Sequence, residues 1–178
     1  MVVVAISGLH GAGKTTAAKT LVKKFRLQYV CAGSMFRQLA EERGMALDEF
    51  SKYAERHPNI DRMIDRRTAD AARNDRVLID ARLAGWMAKK ADVKILLTAP
   101  LKVRVMRIAR REKRRLREVM RETVARERSE IKRFQKFYGI DVNDHSPFDL
   151  VLNTGRLSIR EMARILETAI AVAMKRRS

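Results

Sequence analysis

A glycine-rich loop near the start of the chain constrains its fold more than any other feature. Residues 8–15 read GLHGAGKT and match the pattern G-x-x-x-x-G-K-[ST] at every fixed position. Apolar and β-branched residues at 2–6 precede the loop, and the helical spacing of residues 14–25 follows it. This order of strand, loop and helix predicts a backbone that surrounds a phosphate group with N–H donors at a helix N-terminus.

The loop predicts roles for individual side chains of a nucleotide site. We expect Lys14 to reach the β- and γ-phosphates of ATP and the Thr15 hydroxyl to be a ligand of Mg²⁺. Asp80 ends an apolar run at 77–80, where parallel sheets carry ligand-binding groups, so it is a second candidate for the metal or else a cap of the next turn. His10 stands at a free position of the motif and is expected to be a loop side chain without a catalytic role. The predicted ATP-binding residues are Ser7, Gly8, Leu9, His10, Gly11, Ala12, Gly13, Lys14, Thr15 and Thr16.

The remaining periodicity predicts an α/β fold with three layers, the P-loop NTPase fold. Short apolar runs predict five parallel strands, at residues 2–6, 27–31, 77–80, 93–98 and 150–153. Helices are expected on both faces of this sheet, and the last two are predicted at 100–138, broken near 110–115, and after Ser158. Ser34 and Ser158 are predicted helix caps, and the last helix should bury Ile159, Met162, Ile165, Leu166 and Ile170.

The order of these elements predicts one domain with two helical additions. Helices at 34–43, 47–56 and 60–73 follow one another with no strand between them, which indicates an insert at 34–73 that binds a second substrate. A lid is expected at 110–125. The core would then comprise residues 1–33, 74–109 and 139–178.

Charge and cysteine content limit the partners and the compartment. The 178 residues carry a net charge of +18, and residues 102–136 hold 15 Lys or Arg against 5 Glu. Such an excess attracts nucleotides, phosphates or nucleic acid, or else forms a solvated, ion-paired helix face. Cys31 is the only cysteine, which excludes an internal disulfide and favours a reducing, cytoplasmic setting. No apolar run approaches the roughly 20 residues that span a membrane, and we expect a monomer.

Arginines near the predicted strand ends indicate an acceptor that carries phosphate. Arg37 and Arg82 follow predicted strands, Arg107 and Arg111 are four residues apart, and Arg126, Glu130 and Arg133 share one helix face. Guanidinium groups suit a transferring phosphoryl group and a monophosphate acceptor. Each arginine could instead form an exposed helix pair, such as Arg37 with Glu41. The guanine-reading pattern N-K-x-D of GTPases does not occur.

The chain resembles the nucleoside monophosphate kinases and, among them, the short cytidylate kinases of archaea. The resemblance extends over almost the whole length and rests on five stretches, namely residues 8–15, AGSMFR at 32–37, DARLAGWM at 80–87, RERSEIKR at 126–133 and YGID at 138–141. It implies transfer of the γ-phosphate of ATP to CMP and dCMP, giving the diphosphate and ADP.

The resemblance also implies roles for the arginines. Arg37 and Arg82 would bind the phosphate or base of CMP, Glu130 the ribose hydroxyls, and Arg107 with Arg111 would belong to the lid over ATP. The residues implied to be catalytic are Lys14, Arg107, Arg111, Arg126 and Arg133, and those implied to bind the monophosphate are Ser34, Arg37, Arg82, Glu130 and Arg133. The chain departs from the bacterial cytidylate kinases at Ala32-Gly33, which replaces Ser-Gly, at Leu83, which replaces Asp, and at Glu130, which also replaces Asp.

Two other functions remain open from the sequence. The acceptor could be another monophosphate, UMP or AMP. A basic, RNA-associated P-loop NTPase is a further alternative, although aromatic residues are only 6% of the chain and do not alternate with basic residues as in single-strand binders. A non-catalytic anion-binding module would leave Lys14 and Thr15 unexplained.

Overall fold

The fold is an α/β sandwich built on a fully parallel sheet of five strands. The computed structural model describes residues 2–176. The sheet has the order β2-β3-β1-β4-β5. Its strands are β1 Val3–Gly8, β2 Gln28–Cys31, β3 Val77–Asp80, β4 Val93–Thr98 and β5 Leu150–Asn153. The predicted fold class is confirmed, with strand bounds within two residues of the prediction.

Eight α-helices connect and cover the strands within residues 2–176. They are α1 Lys14–Phe25, α2 Ala32–Glu41, α3 Leu47–Ala54, α4 Pro58–Ala71, α5 Ala84–Met87, α6 Leu101–Glu112, α7 Leu116–Tyr138 and α8 Ile159–Lys175. A 3₁₀ turn at Thr154–Arg156 follows β5. Among these helices, none combines the length and hydropathy that crossing a bilayer requires.

The two faces of the sheet carry different helices because the side chains of a strand alternate between them. Val2, Val4 and Ile6 pack against α1 and α8, where Leu21 and Leu166 are fully buried. The opposite face packs against α5 and the insert helices α2, α3 and α4. The insert therefore completes the third layer of the sandwich instead of projecting from it. The division into core, insert and lid stays a prediction.

The long helical region breaks where the sequence predicted. Lys113 adopts a left-handed conformation with φ of 53°, which ends α6 and turns the chain into α7. In its C-terminal half, α7 contacts the predicted insert: the Ser129 hydroxyl donates to the Ser51 carbonyl at 2.9 Å, and Lys132 pairs with Glu55 at 3.0 Å. The single helix thus extends from the turn after α6 to the insert.

Three local predictions need correction. Ser34 does not cap α2, which begins two residues earlier; its hydroxyl donates to the Cys31 carbonyl at 2.7 Å from within the first turn. Ile159 and Ile165 of α8 are exposed, because only the stripe that includes Leu166 faces the sheet. Ser158, in contrast, caps α8 in a capping box with Glu161, as predicted.

Candidate active site

A cleft of about 410 Å³ opens at the carboxyl edge of the sheet, beyond the ends of β1 and β3. Parallel sheets bind ligands at this edge, because the loops that follow the strands converge there. Much of the predicted site lies in one cavity. The predicted residues that line it are His10, Gly11, Gly13, Lys14, Thr15, Thr16, Arg37, Asp80, Arg82, Arg107, Arg111 and Arg126.

The backbone of the phosphate loop has a conformation and a close packing that require glycine at two positions. Gly11 has φ of 77°, and a Cβ atom there would lie 2.5 Å from the carbonyl oxygen of Arg104. A Cβ atom on Gly8 would lie 2.3 Å from the carbonyl oxygen of Leu97. Both distances are far below van der Waals contact, so neither position admits a larger residue without moving the backbone. Lys14 donates to the carbonyls of Gly8 and Leu9, at 2.8 and 3.3 Å.

Lys14 is buried among groups of both signs. Burial lowers the pKa of its ammonium below the ordinary value, and the nearby Asp80 carboxylate acts in the opposite direction. An anionic phosphate in the loop would strengthen the charged form. The side chain is therefore placed to pair with a phosphate, and in this structure it donates to two carbonyl groups beside the Asp80 carboxylate.

Oxygen ligands suited to Mg²⁺ meet at the end of β3. The Thr15 hydroxyl donates to Oδ2 of Asp80 at 2.9 Å, and the Tyr29 hydroxyl reaches the same oxygen at 2.9 Å. Within residues 2–176, no three or more His, Cys, Asp or Glu side chains gather into a metal-holding group. Mg²⁺ usually takes one or two carboxylates and completes its shell with waters and substrate phosphates, and this pair of residues fits that pattern. Sequence analysis missed Tyr29.

Two arginines that line the cleft, Arg82 and Arg126, each have a buried guanidinium nitrogen without a hydrogen-bond partner among residues 2–176. Nη2 of Arg82 and Nε of Arg126 are buried and have no hydrogen-bond acceptor in the part of the chain that the structure describes. Nη1 of Arg126 lies 3.7 Å from Oε1 of Glu122, which is a loose ion pair. A buried N–H group without an acceptor is costly. An anion in the cleft would supply the missing acceptors.

Glu130 does not face the cleft, in contrast to its implied role on ribose. Its Oε1 lies 2.8 Å from Nε2 of His10 and its Oε2 accepts from Nε of Arg82 at 2.7 Å. The neighbouring His10, Arg82 and Arg126 hold its pKa well below the ordinary value, although burial opposes them. Burial lowers the pKa of His10 to about 4 even though Glu130 raises it. At neutral pH a neutral His10 therefore donates to an ionised Glu130.

Arg133 also lies outside the lining of the cleft. Its Nη1 donates to both oxygens of Asp61, at 2.8 and 2.7 Å, and its side chain is 2% exposed. The guanidinium carbon lies 5.4 Å from the ring centroid of Phe36. This placement departs from the implied catalytic role, because a buried carboxylate of the insert already uses the charge of Arg133.

The comparisons with known proteins agree with the geometry. The model of the cytidylate kinase-like family matches residues 3–156, which is most of the chain. The chain belongs to the cytidylate kinase-like family. The cytidylate kinase of Pyrococcus horikoshii is 47% identical over 168 residues, covering 94% of this chain and 88% of that protein. The cytidylate kinase of Staphylothermus marinus is 44% identical over 176 residues, covering 98% and 99%.

Solved structures support the fold of this family member. The shikimate kinase of Bacteroides thetaiotaomicron superposes with a TM-score of 0.63, covering 96% of this chain and 98% of the other at 15% identity. At that identity the likeness concerns the fold alone, and it confirms the predicted P-loop kinase architecture.

Two implied lid residues of this cytidylate kinase-like chain have different surroundings. Arg107 donates to the hydroxyl and carbonyl of Thr154, at 3.0 and 2.7 Å, and lies beside the Gly11 carbonyl at 3.5 Å. Arg111 is exposed and pairs with Glu112. Arg107 is therefore bound to the protein next to the phosphate loop, whereas Arg111 is exposed and pairs with its neighbour in the chain.

Sequence analysis missed a residue that supports the loop. Arg104 is 4% exposed, donates to the carbonyls of Ala99 and His10 at 2.9 and 3.0 Å, and pairs with Glu127. It stands among 15 basic residues in its stretch, and nothing in its spacing distinguishes it from a surface charge. The structure gives it the role of a brace beneath the phosphate loop.

Proposed function

We propose that the chain transfers the γ-phosphate of ATP to CMP, and also to dCMP, giving ADP and the cytidine diphosphate. One observation carries the proposal: a single cleft is lined by the phosphate loop and by Arg82 and Arg126, each of which has a buried guanidinium nitrogen without a hydrogen-bond acceptor within residues 2–176. Such a cleft suits two phosphorylated substrates that face each other. The cytidylate kinases among its relatives support CMP as the acceptor.

The donor half would consist of the phosphate loop and the end of β3. Lys14 would leave the Gly8 and Leu9 carbonyls and pair with the β- and γ-phosphates, since a phosphate is the stronger acceptor. Thr15 and Asp80 would hold Mg²⁺, which supplies charge neutralisation between the β- and γ-phosphates when bound. The remaining backbone of the phosphate loop would bind ATP.

The acceptor half would consist of arginines on three elements. Arg37 lies on α2 of the insert, Arg82 follows β3, and Arg126 lies on α7. Their guanidinium groups would bind the phosphate of CMP and the equatorial oxygens of the transferring group. No strong general base is required, because the attacking phosphate oxygen is already anionic. The protein contributes position and charge, and transfer proceeds in line without a covalent enzyme intermediate.

Closure would exclude water from the reacting phosphates. We propose that the insert at 34–73 and a lid at 110–125 close over the two nucleotides, and that this movement brings inward Arg111, an exposed arginine of that lid that already lines the cleft. We also propose that the protein works as a monomer in the cytoplasm, with ATP and CMP as its partners.

The experiment is ADP formation from ATP and Mg²⁺ with CMP, dCMP, UMP, AMP and GMP side by side. We expect kcat/KM for CMP and dCMP to exceed that for the other three by at least about tenfold, the discrimination of one specific hydrogen bond to the base. A higher kcat/KM for UMP or AMP would refute the acceptor assignment. ATP hydrolysis that needs no monophosphate, together with salt-sensitive RNA binding, would refute the kinase proposal itself.

A further inference from the structure

His10 joins two parts of the active site that are far apart in sequence. It occupies a free position of the phosphate loop, yet its ring nitrogen Nε2 lies 2.8 Å from Oε1 of Glu130, which is 120 residues away on α7. Both side chains are largely buried, with 19% and 8% exposure. A residue at a free motif position needs no such partner for phosphate binding, so the contact requires another explanation.

Glu130 passes the contact on to the acceptor side. Its second oxygen accepts from Nε of Arg82 at 2.7 Å, which restrains the position of that guanidinium group. The Nη2 atom of Arg82 is buried and has no acceptor among the residues that the structure describes, and Arg82 lines the cleft. The position of the Arg82 guanidinium group thus depends on two hydrogen bonds, and the first of them starts at His10 in the phosphate loop.

The loop end of this chain of contacts is itself held. The carbonyl of His10 accepts from Nη1 of Arg104 at 3.0 Å, and Arg104 is braced by the Ala99 carbonyl. His10 is therefore fixed at both its backbone and its ring. If the ring were absent, Glu130 would keep Arg82 and the nearby Arg126 as neighbours and could pivot between them.

We propose that His10 is a positioning residue that sets the affinity for the monophosphate, by holding Glu130 so that the Arg82 guanidinium group keeps its position in the lining of the cleft. The role rests on the proposed function. A side chain of the phosphate loop thereby becomes a determinant of monophosphate binding. The loop pattern alone does not predict this.

The test compares two replacements of His10 that differ in one hydrogen bond. His10→Leu keeps a similar volume but has no donor, whereas His10→Gln places an amide N–H at the same number of bonds from the backbone as Nε2. Calorimetry on the folded proteins would measure Kd for CMP alone and for ADP alone. We expect His10→Leu to raise Kd for CMP about tenfold, the loss of one hydrogen bond to a charged group, and Kd for ADP less than threefold. His10→Gln should restore Kd for CMP to within about threefold.

A double-mutant cycle with Arg82→Lys tests the route of the effect. If His10 acts through Arg82, His10→Leu should raise Kd for CMP far less in the Arg82→Lys background than in the wild type. Equal loss of CMP and ADP affinity in His10→Leu would mean that the ring only maintains the loop, and it would overturn the proposal. Unchanged Kd for CMP would overturn it too, as would additive effects in the cycle.

The outcome is separable from that of the proposed function. The wild-type panel is measured first, and the variants are compared with the monophosphate that it phosphorylates best. If that acceptor is UMP or AMP, the assignment of CMP fails while the series on His10 still decides the positioning role. A wild type that binds no monophosphate overturns both.

Discussion

Replacing Arg133 separates a structural role from a catalytic one. Arg133 and Asp61 are 2% and 7% exposed and share two hydrogen bonds, so they form a buried ion pair between α7 and α4. Arg133→Met keeps most of the volume but leaves the Asp61 carboxylate buried without a cation. Breaking such a pair costs about 3–5 kcal/mol. With about 2–4 °C of melting temperature per kcal/mol for a domain of this size, Tm should fall by roughly 6–20 °C.

The assay is thermal unfolding together with CMP turnover well below Tm. We expect the double variant Arg133→Met, Asp61→Leu to recover most of the lost stability, because it leaves no unpaired charge in the interior. The folded single variant should retain kcat within about threefold, since its side chain does not line the cleft. A variant with unchanged Tm and turnover reduced by orders of magnitude would refute this reasoning and restore the role that the resemblance implied.

Three further predictions concern the loop and the insert. Lys14→Ala should lower kcat by at least about a hundredfold while Tm changes by only a few degrees, because its ammonium group serves the phosphates; turnover and unfolding measured on one preparation would show this. Gly11→Ala should weaken ADP binding in calorimetry, because its Cβ atom would meet the Arg104 carbonyl at 2.5 Å; unchanged affinity would contradict the loop geometry. Burial raises the pKa of Asp65 to about 7, so between about pH 4 and 7 the folded protein keeps a proton that the unfolded chain loses, and the free energy of unfolding falls as pH rises. Asp65→Asn should flatten that slope in denaturation curves at pH 5 and 8.

Local patterns predicted most of the fold because they encode local physics. Buried parallel strands read as continuous apolar runs, so β3 and β4 were predicted with their observed bounds; β5 was too, although it lies at the edge of the sheet and Val151 is 45% exposed. The helix α5 was missed because its four residues, Ala84–Met87, are too short to show a period. Ile159 and Ile165 were misplaced since spacing defines an apolar face more widely than the sheet covers it.

The candidate site also has a part that the sequence predicts and a part that it does not. The backbone of the phosphate loop and the position of Asp80 at the end of β3 were predictable because each depends on a few adjacent residues. The contacts of Glu130 with His10 and of Arg133 with Asp61 were not predictable, because the two residues of each pair are 120 and 72 positions apart. In addition, any arginine in the basic stretch could have taken the place of Arg133. Only the folded chain distinguishes a guanidinium group that is paired inside the protein from one that is open to a ligand.

The length of helix α7 has a consequence for how the binding of one nucleotide affects the binding of the other. Its 23 residues make a rod of roughly 34 Å. Its first turns lie within the proposed lid at 110–125, and in its C-terminal half Ser129, Lys132 and Arg133 connect it to Ser51, Glu55 and Asp61 of the proposed insert. Because the helix is stiff, a displacement at one end is expected to move the other end. The proposed lid and insert should therefore close together. ATP and CMP should then assist each other's binding by equal factors, as thermodynamic reciprocity requires.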